Sequence, residues 1–329
     1  MTNAIDRRAT LGVAGGIGFA GMMAGAARSA HAATKKIEGA SLKGPYLDLT
    51  TPFGNVEGYA RLTSNTDMKS AHFGWFEGIV MGVLDGGPLR NICGFRGFGT
   101  TRLLPLEGEH GYRRVLREVG YYTDLATGRI LEEMENPYTG EKVRVVPVAN
   151  DPFNRVISEY ELSRPNFGGL NKEAPAEKKG FQLNWKVSGD RLMMERHIHL
   201  YYPNALDPDT WRRESSGRMV RASEFYLYNM ALDDMQNKDL TTFPHTGYWG
   251  RVTPWLPWML MGQAPGHCLY QCWTGTAHGV DELPQDIVEY TAKHNPKYLD
   301  APTAWEEPSL SSLEWYAREQ TPAQEPGGV

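Results

Sequence analysis

Between residues 71 and 150, short β-branched and aromatic runs are cut by turn clusters about every dozen residues, and nothing between the turns repeats at helical spacing. A chain punctuated this way satisfies its backbone by pairing neighbouring runs edge to edge, as an antiparallel meander. The run 72–83 stops at Asp85-Gly86-Gly87-Pro88, and 89–98 follows. The run 112–122 breaks at Thr123-Asp124-Leu125-Ala126-Thr127-Gly128, and 129–136 enters Pro137-Tyr138-Thr139-Gly140. Residues 142–148 resume the alternation, 181–187 and 191–202 form a hairpin about Ser188-Gly189-Asp190, and 222–228 and 268–274 are further strands. The expected fold is mainly β, a curved sheet or barrel that includes the calycin-like form, with a few peripheral helices near both ends. Residues 33–70 predict short helical turns packed over the body, 164–180 a long surface loop, and 282–294 a helix ended by Pro296.

The N-terminus reads as an address. Arg7-Arg8 precedes an uncharged Gly/Ala-rich run from Leu11 to Ala27, and Ala30-His31-Ala32 supplies a small-x-small cleavage site. The paired arginines and mild hydrophobicity are those of a twin-arginine signal. A run of about 17 residues is short for a span needing roughly 20. The expected organisation is a signal over 1–32, one β-rich domain over 33–320, and a disordered tail over 321–329. Such a chain uses the twin-arginine export machinery, ends up periplasmic or secreted, and keeps no stable membrane span after cleavage. Its 34 Lys+Arg against 39 Asp+Glu leave a net charge of -5, so no basic excess supports nucleic-acid binding. Cys93, Cys268 and Cys272 form no zinc pattern and read first as small buried hydrophobes, with pairing of Cys93 to either of the others left open.

Four groups of residues carry candidate chemistry. Glu195, His197 and His199 alternate on one strand and so share a face, the fallback set for a metal-dependent enzyme. No cofactor is predicted. Trp211-Arg212-Arg213-Glu214 is a charged turn in which Arg213 and Glu214 either bind an anion and transfer protons or close a loop. Glu224 enters the apolar strand Phe225-Tyr226-Leu227-Tyr228, where a carboxylate is either desolvated or neutralised by an arginine, Arg251 being nearest in sequence. Residues 249–262 hold Trp249, Trp255, Trp258, Met259 and Met261, which wall a pocket for an aromatic or isoprenoid-like molecule or plug a barrel end. Nucleotide-binding glycine loops, Gly-x-Ser-x-Gly and His-Glu-x-x-His are absent from the sequence.

Tyr121-Tyr122-Thr123-Asp124, Asn136-Pro137-Tyr138-Thr139-Gly140-Glu141, Asn150-Asp151-Pro152, Arg213-Glu214-Ser215-Ser216-Gly217, Ala222-Ser223-Glu224 and Thr253-Pro254-Trp255-Leu256-Pro257-Trp258-Met259-Leu260-Met261-Gly262 occur in that order. With Gly266-His267 and Ala301-Pro302-Thr303, the string resembles the DUF1838 family, whose function is unknown. The resemblance points to Glu214, Glu224, Arg251 and His267. The expected activity is acid–base chemistry on a hydrophobic small molecule, of isomerase, hydratase or lyase type. Glu214, Glu224, His267 and Arg251 are the expected catalytic set, and Arg213, Trp249, Trp255, Trp258, Met259, Met261 and Tyr122 the expected ligand contacts. The alternative is a non-catalytic carrier of a lipid or aromatic ligand.

Overall fold

A computed structural model describes residues 41–163, 177–306 and 309–324. The expected signal over 1–32 lies outside the described residues, as do 325–329 of the expected tail. In chain order the elements are α1 (Pro52–Thr63), β1 (His72–Leu84), β2 (Arg90–Pro105), β3 (Gly111–Thr123), β4 (Glu133–Glu135), β5 (Lys142–Arg144), β6 (Val148–Asn150), β7 (Arg155–Ser158), β8 (Tyr160–Ser163) and β9 (Glu177–Gly180). They continue with β10 (Asn184–Ser188), β11 (Arg191–Pro203), β12 (Met219–Ala231), α2 (Leu232–Gln236), β13 (Thr246–Thr253), β14 (Gly266–Ala277), α3 (Gln285–His294) and α4 (Ser312–Glu319).

Ten strands make one antiparallel sheet in the order β10-β11-β12-β13-β14-β1-β2-β3-β6, and β7 also pairs with β3. Two meanders, β1–β3 and β10–β14, are thereby joined through the β1–β14 ladder, from Phe73↔Ala277 to Leu84↔Gly266. The sheet curves without closing into a barrel. β11 is paired with β10 only as far as Glu195, so its stretch from Arg196 to Pro203 is an edge beyond that point.

Burial of apolar side chains organises three packed regions. α1 enters one end of the curve, packing Val56, Tyr59, Ala60 and Leu62 against Leu103, Ile157, Leu192, Met194 and Met230. Its start is set by Thr51, whose hydroxyl accepts from Gly54 N, and by Pro52 at the first turn. This is a 12-residue buried helix where short turns over the surface were expected. At the opposite end, Trp255, Leu256, Trp258 and Met259 pack with Val80, Ile92, Phe95, Tyr122 and Tyr270. The hairpin β4–β5 covers this plug, and Asn136 Nδ2 donates to Met259 O at 2.6 Å. On the convex face, α3 lays Ile287 against Phe73, Phe98, Val119 and Tyr121.

Two stretches depart from expectation. Residues 246–253 are strand β13, whose alternation is masked in the sequence by Gly247 and Gly250. Residues 177–180 of the expected surface loop are strand β9, while 164–176 lie outside the described residues. The three cysteines are buried and unpaired. Burial pushes the Cys268 and Cys272 thiols up to about 12. No described helix is long and apolar enough to cross a membrane.

Candidate functional site

Alternate residues of the sheet strands face inward, and they line an open cavity of about 2150 Å³. Along β3 the inward sequence is Arg114, Leu116, Glu118, Gly120, Tyr122; along β12 it is Glu224, Tyr226, Tyr228. The edge of β11 lines one side of the cavity, and β6, β7 and residues 309–316 line the other.

Glu224 sits opposite Arg251 across the β12–β13 ladder, with Nη1 to Oε1 at 3.3 Å. The Tyr226 hydroxyl donates to the other carboxylate oxygen at 2.8 Å. Burial opposes the charge on Arg251, but Glu224 and the phenols of Tyr202, Tyr270 and Tyr226 outweigh it and hold the guanidinium protonated. Burial and then the Glu224 charge drive the Tyr226 phenol well above its usual range, so this hydroxyl keeps its proton. Glu118 reaches the same cavity from β3. Asn150 Nδ2 donates to its Oε1 at 3.2 Å, and Ser312 Oγ at the head of α4 donates to Asn150 Oδ1 at 3.1 Å. Burial first, and the Glu224 charge second, raise the Glu118 carboxyl above the ordinary glutamate range; Asn150, Arg251 and Arg114 pull the other way.

The apolar wall is aromatic. Phe76 stacks on Phe95 at 5.0 Å, Phe95 meets Tyr122 and Tyr270 at 5.1 Å each, and Tyr122 meets Trp258 edge-on at 5.0 Å. The Tyr122 and Tyr270 hydroxyls share a hydrogen bond of 2.8 Å. Trp249 joins this wall 5.3 Å from Tyr270, and its indole N–H, like Arg251 Nε, is buried without a hydrogen-bond partner.

The profile of the DUF1838 family, described as protein of unknown function, matches residues 69–320. The chain belongs to the DUF1838 family. No curated protein matches it. The DUF1838 match begins just before β1 and ends just after α4, so it takes in the whole sheet and leaves α1 outside.

Of the residues singled out in the DUF1838 sequence, Glu224, Arg251, Trp249 and Tyr122 meet in the cavity, and Trp255 and Trp258 line its plugged end. Glu214 is 3% exposed at the cavity margin, where its Oε1 accepts from Ala323 N at 2.6 Å. Arg213 is drawn away: it pairs with Glu141 and donates to Gln324 O at 3.1 Å. The Glu214–Ala323 and Arg213–Gln324 contacts hold the chain at 323–324 against the charged turn, and Arg213 and Glu214 take separate partners instead of pairing with each other to close a loop. Met259 is buried in the plug, 3.9 Å from Cys268 Sγ, and Met261 packs on the same cluster.

His267 is misplaced for acid–base work beside Glu224. It lies three residues from Tyr270, an odd offset that turns it to the opposite face of β14. Glu195, His197 and His199 do share a face, but it is the more exposed one, at the rim of the cavity along the β11 edge, opposite Arg196 and Ile198. There Glu195 accepts from Asn184 Nδ2 at 3.1 Å, His197 meets the Phe225 ring, and His199 pairs with Ser223 Oγ at 3.0 Å. Among the described residues no cluster of three or more His, Cys, Asp or Glu side chains is placed to hold a metal. Glu118 is the functional candidate that motif reading missed. Its signal was positional, since it lies an even four residues from Tyr122 on β3.

Proposed function

We propose that this DUF1838 protein is an enzyme that moves a proton on a small molecule held in the sheet cavity. The observation that carries the reading is a pair of carboxylates in one cavity with opposed environments. Glu224 is ion-paired and hydrogen-bonded, whereas Glu118 is held toward its protonated form by burial and by its neighbour's charge. Glu224 takes a proton from the substrate, and Glu118 returns one at a second atom or to a leaving hydroxyl. The Tyr226 hydroxyl and the Arg251 guanidinium fix Glu224, and the free Nε of Arg251 faces negative charge that develops on the substrate. The aromatic wall excludes water. The reaction type is isomerase, hydratase or lyase.

The size of the cavity favours a second reading, a carrier, because about 2150 Å³ exceeds the roughly 300–1,000 Å³ of ordinary ligand sites. One experiment separates the two. Protein is recovered from the extracytoplasmic fraction of its host, where the proposal takes residues 1–32 as an export signal and expects a chain starting at Ala33. It is then incubated with a small-molecule extract of that host and followed by mass spectrometry. Catalysis predicts a compound converted to an isomer, or to a product differing by water, and conversion lost with Glu224→Gln and with Glu118→Gln. A compound retained unchanged by all three proteins overturns the enzyme reading in favour of the carrier.

A further inference from the structure

The cavity carries a second charged group that the proton-transfer scheme leaves unused. Arg114 of β3 and Arg155 of β7 stand directly opposite each other across their ladder, and both line the cavity. Like charges so placed repel one another, and both side chains are half-buried, so water screens them only in part. Neighbouring arginines have partners: Arg117 with Asp151 at 3.0 Å, Arg196 with Glu161 at 3.2 Å, and Arg251 with Glu224 at 3.3 Å. Among the described residues, no carboxylate stands at ion-pair distance from Arg114 or Arg155. The Nε of Arg114 is buried with no hydrogen-bond partner, and the Arg155 guanidinium lies over the Phe153 ring at 5.3 Å. Arg196 of β11 completes the group and donates to the Tyr59 hydroxyl of α1 at 3.1 Å.

A half-buried pair of cations without a counter-charge costs stability, and an anionic ligand seated between them offsets that cost. The Tyr59 phenol reports the local field. Burial raises its pKa, yet Arg196, Arg114 and Arg155 more than reverse this and bring it down to about 8. The order along β3 then acts as a ruler. Arg114, Glu118 and Tyr122 follow one another inward at four-residue steps, roughly 13 Å each on an extended strand: cation, carboxylate, aromatic wall.

The geometry points to an organic anion as the occupant: its carboxylate or phosphate group seats among Arg114, Arg155 and Arg196, and its apolar body passes Glu118 and Glu224 toward Trp249 and Trp258. This deepens the proton-transfer reading and rests on it only in taking the cavity as the substrate's place.

The test is a binding titration on the whole protein, read by tryptophan fluorescence, with naphthoate, naphthyl phosphate and the neutral naphthylmethanol. The expected result is that at least one anion binds about tenfold or more tightly than the alcohol, as charge-assisted bidentate contacts require. Which anion wins identifies the headgroup as carboxylate or phosphate. The double variant Arg114→Gln/Arg155→Gln brings the anion down to the affinity of the alcohol, leaves the alcohol unchanged, and does not lower the unfolding temperature of the empty protein. Arg114→Lys/Arg155→Lys retains part of the anion preference. Equal affinity for anion and alcohol, no anion binding at millimolar concentration, or an unfolding temperature lowered by the glutamine pair each overturns the proposal, the last by making the arginines structural. Glu118→Gln and Glu224→Gln retain the anion preference, so loss of the catalytic reading leaves this outcome intact and is distinguishable from it.

Discussion

Tyr59 is the residue whose ionisation the cavity controls most directly. Its hydroxyl faces Arg196 of β11, Arg114 of β3 and Arg155 of β7, with the Tyr228 phenol of β12 within reach of its charge and Glu161 of β8 paired to Arg196. With a phenol pKa near 8, proton loss above that pH places a phenolate among the same guanidiniums that would hold an anionic ligand. Anion affinity should therefore fall as pH rises through about 8, and Tyr59→Phe should flatten the profile while leaving affinity at pH 7 within about twofold. A pH series of the naphthoate titration checks this; a profile identical in both proteins contradicts it. At this scale the sequence was readable in part. Glu224 and Arg251 stood out because a carboxylate and a guanidinium in apolar strands need each other. Glu118 and Arg114 did not, because in the alternating text of β3 they look like solvent-facing residues until the curvature of the sheet turns their face inward.

Strands and the buried helix differed sharply in legibility. The edges of β1, β3 and β11 were readable to within a residue, since alternation, aromatic content and turn glycines agree there. α1 was hidden because Gly54 and Gly58 depress helix propensity inside it. A side chain at Gly54 would collide with the Asp48 carbonyl oxygen, and one at Gly58 would press on Leu49 and Met235. Tight packing thus demanded residues that erase the helical signature. What fixes α1 instead is a polar hub. Asn55, 0% exposed, donates through Nδ2 to Leu49 O and Thr51 O at 2.8 and 2.7 Å, while its Oδ1 accepts from Leu183 N and Trp185 Nε1 at 2.8 and 2.7 Å. Asn55→Leu strands the Leu183 N–H and the Trp185 indole N–H, while Leu49 O keeps Gln182 Nε2 and Thr51 O keeps the residue 55 backbone N–H. It should cost about 2–4 kcal/mol by urea unfolding, and a loss under about 1 kcal/mol would show that the hub does not anchor the helix. Arg61, on the same helix, donates to the carbonyls of Asp234, Met235, Asn237 and Leu240 and so fastens α1 to α2 and the turn after it.

For the molecule as a whole, two buried histidines set the acid limit. Burial depresses His72 to about 3, helped by the charges of His245, Arg114 and His278, and burial alone depresses His245 to about 4. Each pairs with a threonine hydroxyl, His72 with Thr242 at 3.2 Å and His245 with Thr276 at 2.7 Å. Both values lie below the unfolded value of about 6.5. The unfolded chain therefore takes up these protons first as pH falls. Their contribution to stability is complete above about 6.5 and is lost progressively down to about 4 for His245 and about 3 for His72, on the order of a few kcal/mol. Thermal unfolding between pH 7 and 4 should show the decline, and His72→Asn/His245→Asn should flatten it; an unchanged slope in the double variant would assign the acid limit to other groups. The two-meander plan also has a consequence in time. Glu118 arrives on the first meander and Glu224 on the second, and the β1–β14 ladder is the strand pairing that brings those halves face to face. A ribosome has therefore to deliver residue 277 before the two carboxylates can share one chamber, and a chain broken off ahead of β14 carries both acids as strangers.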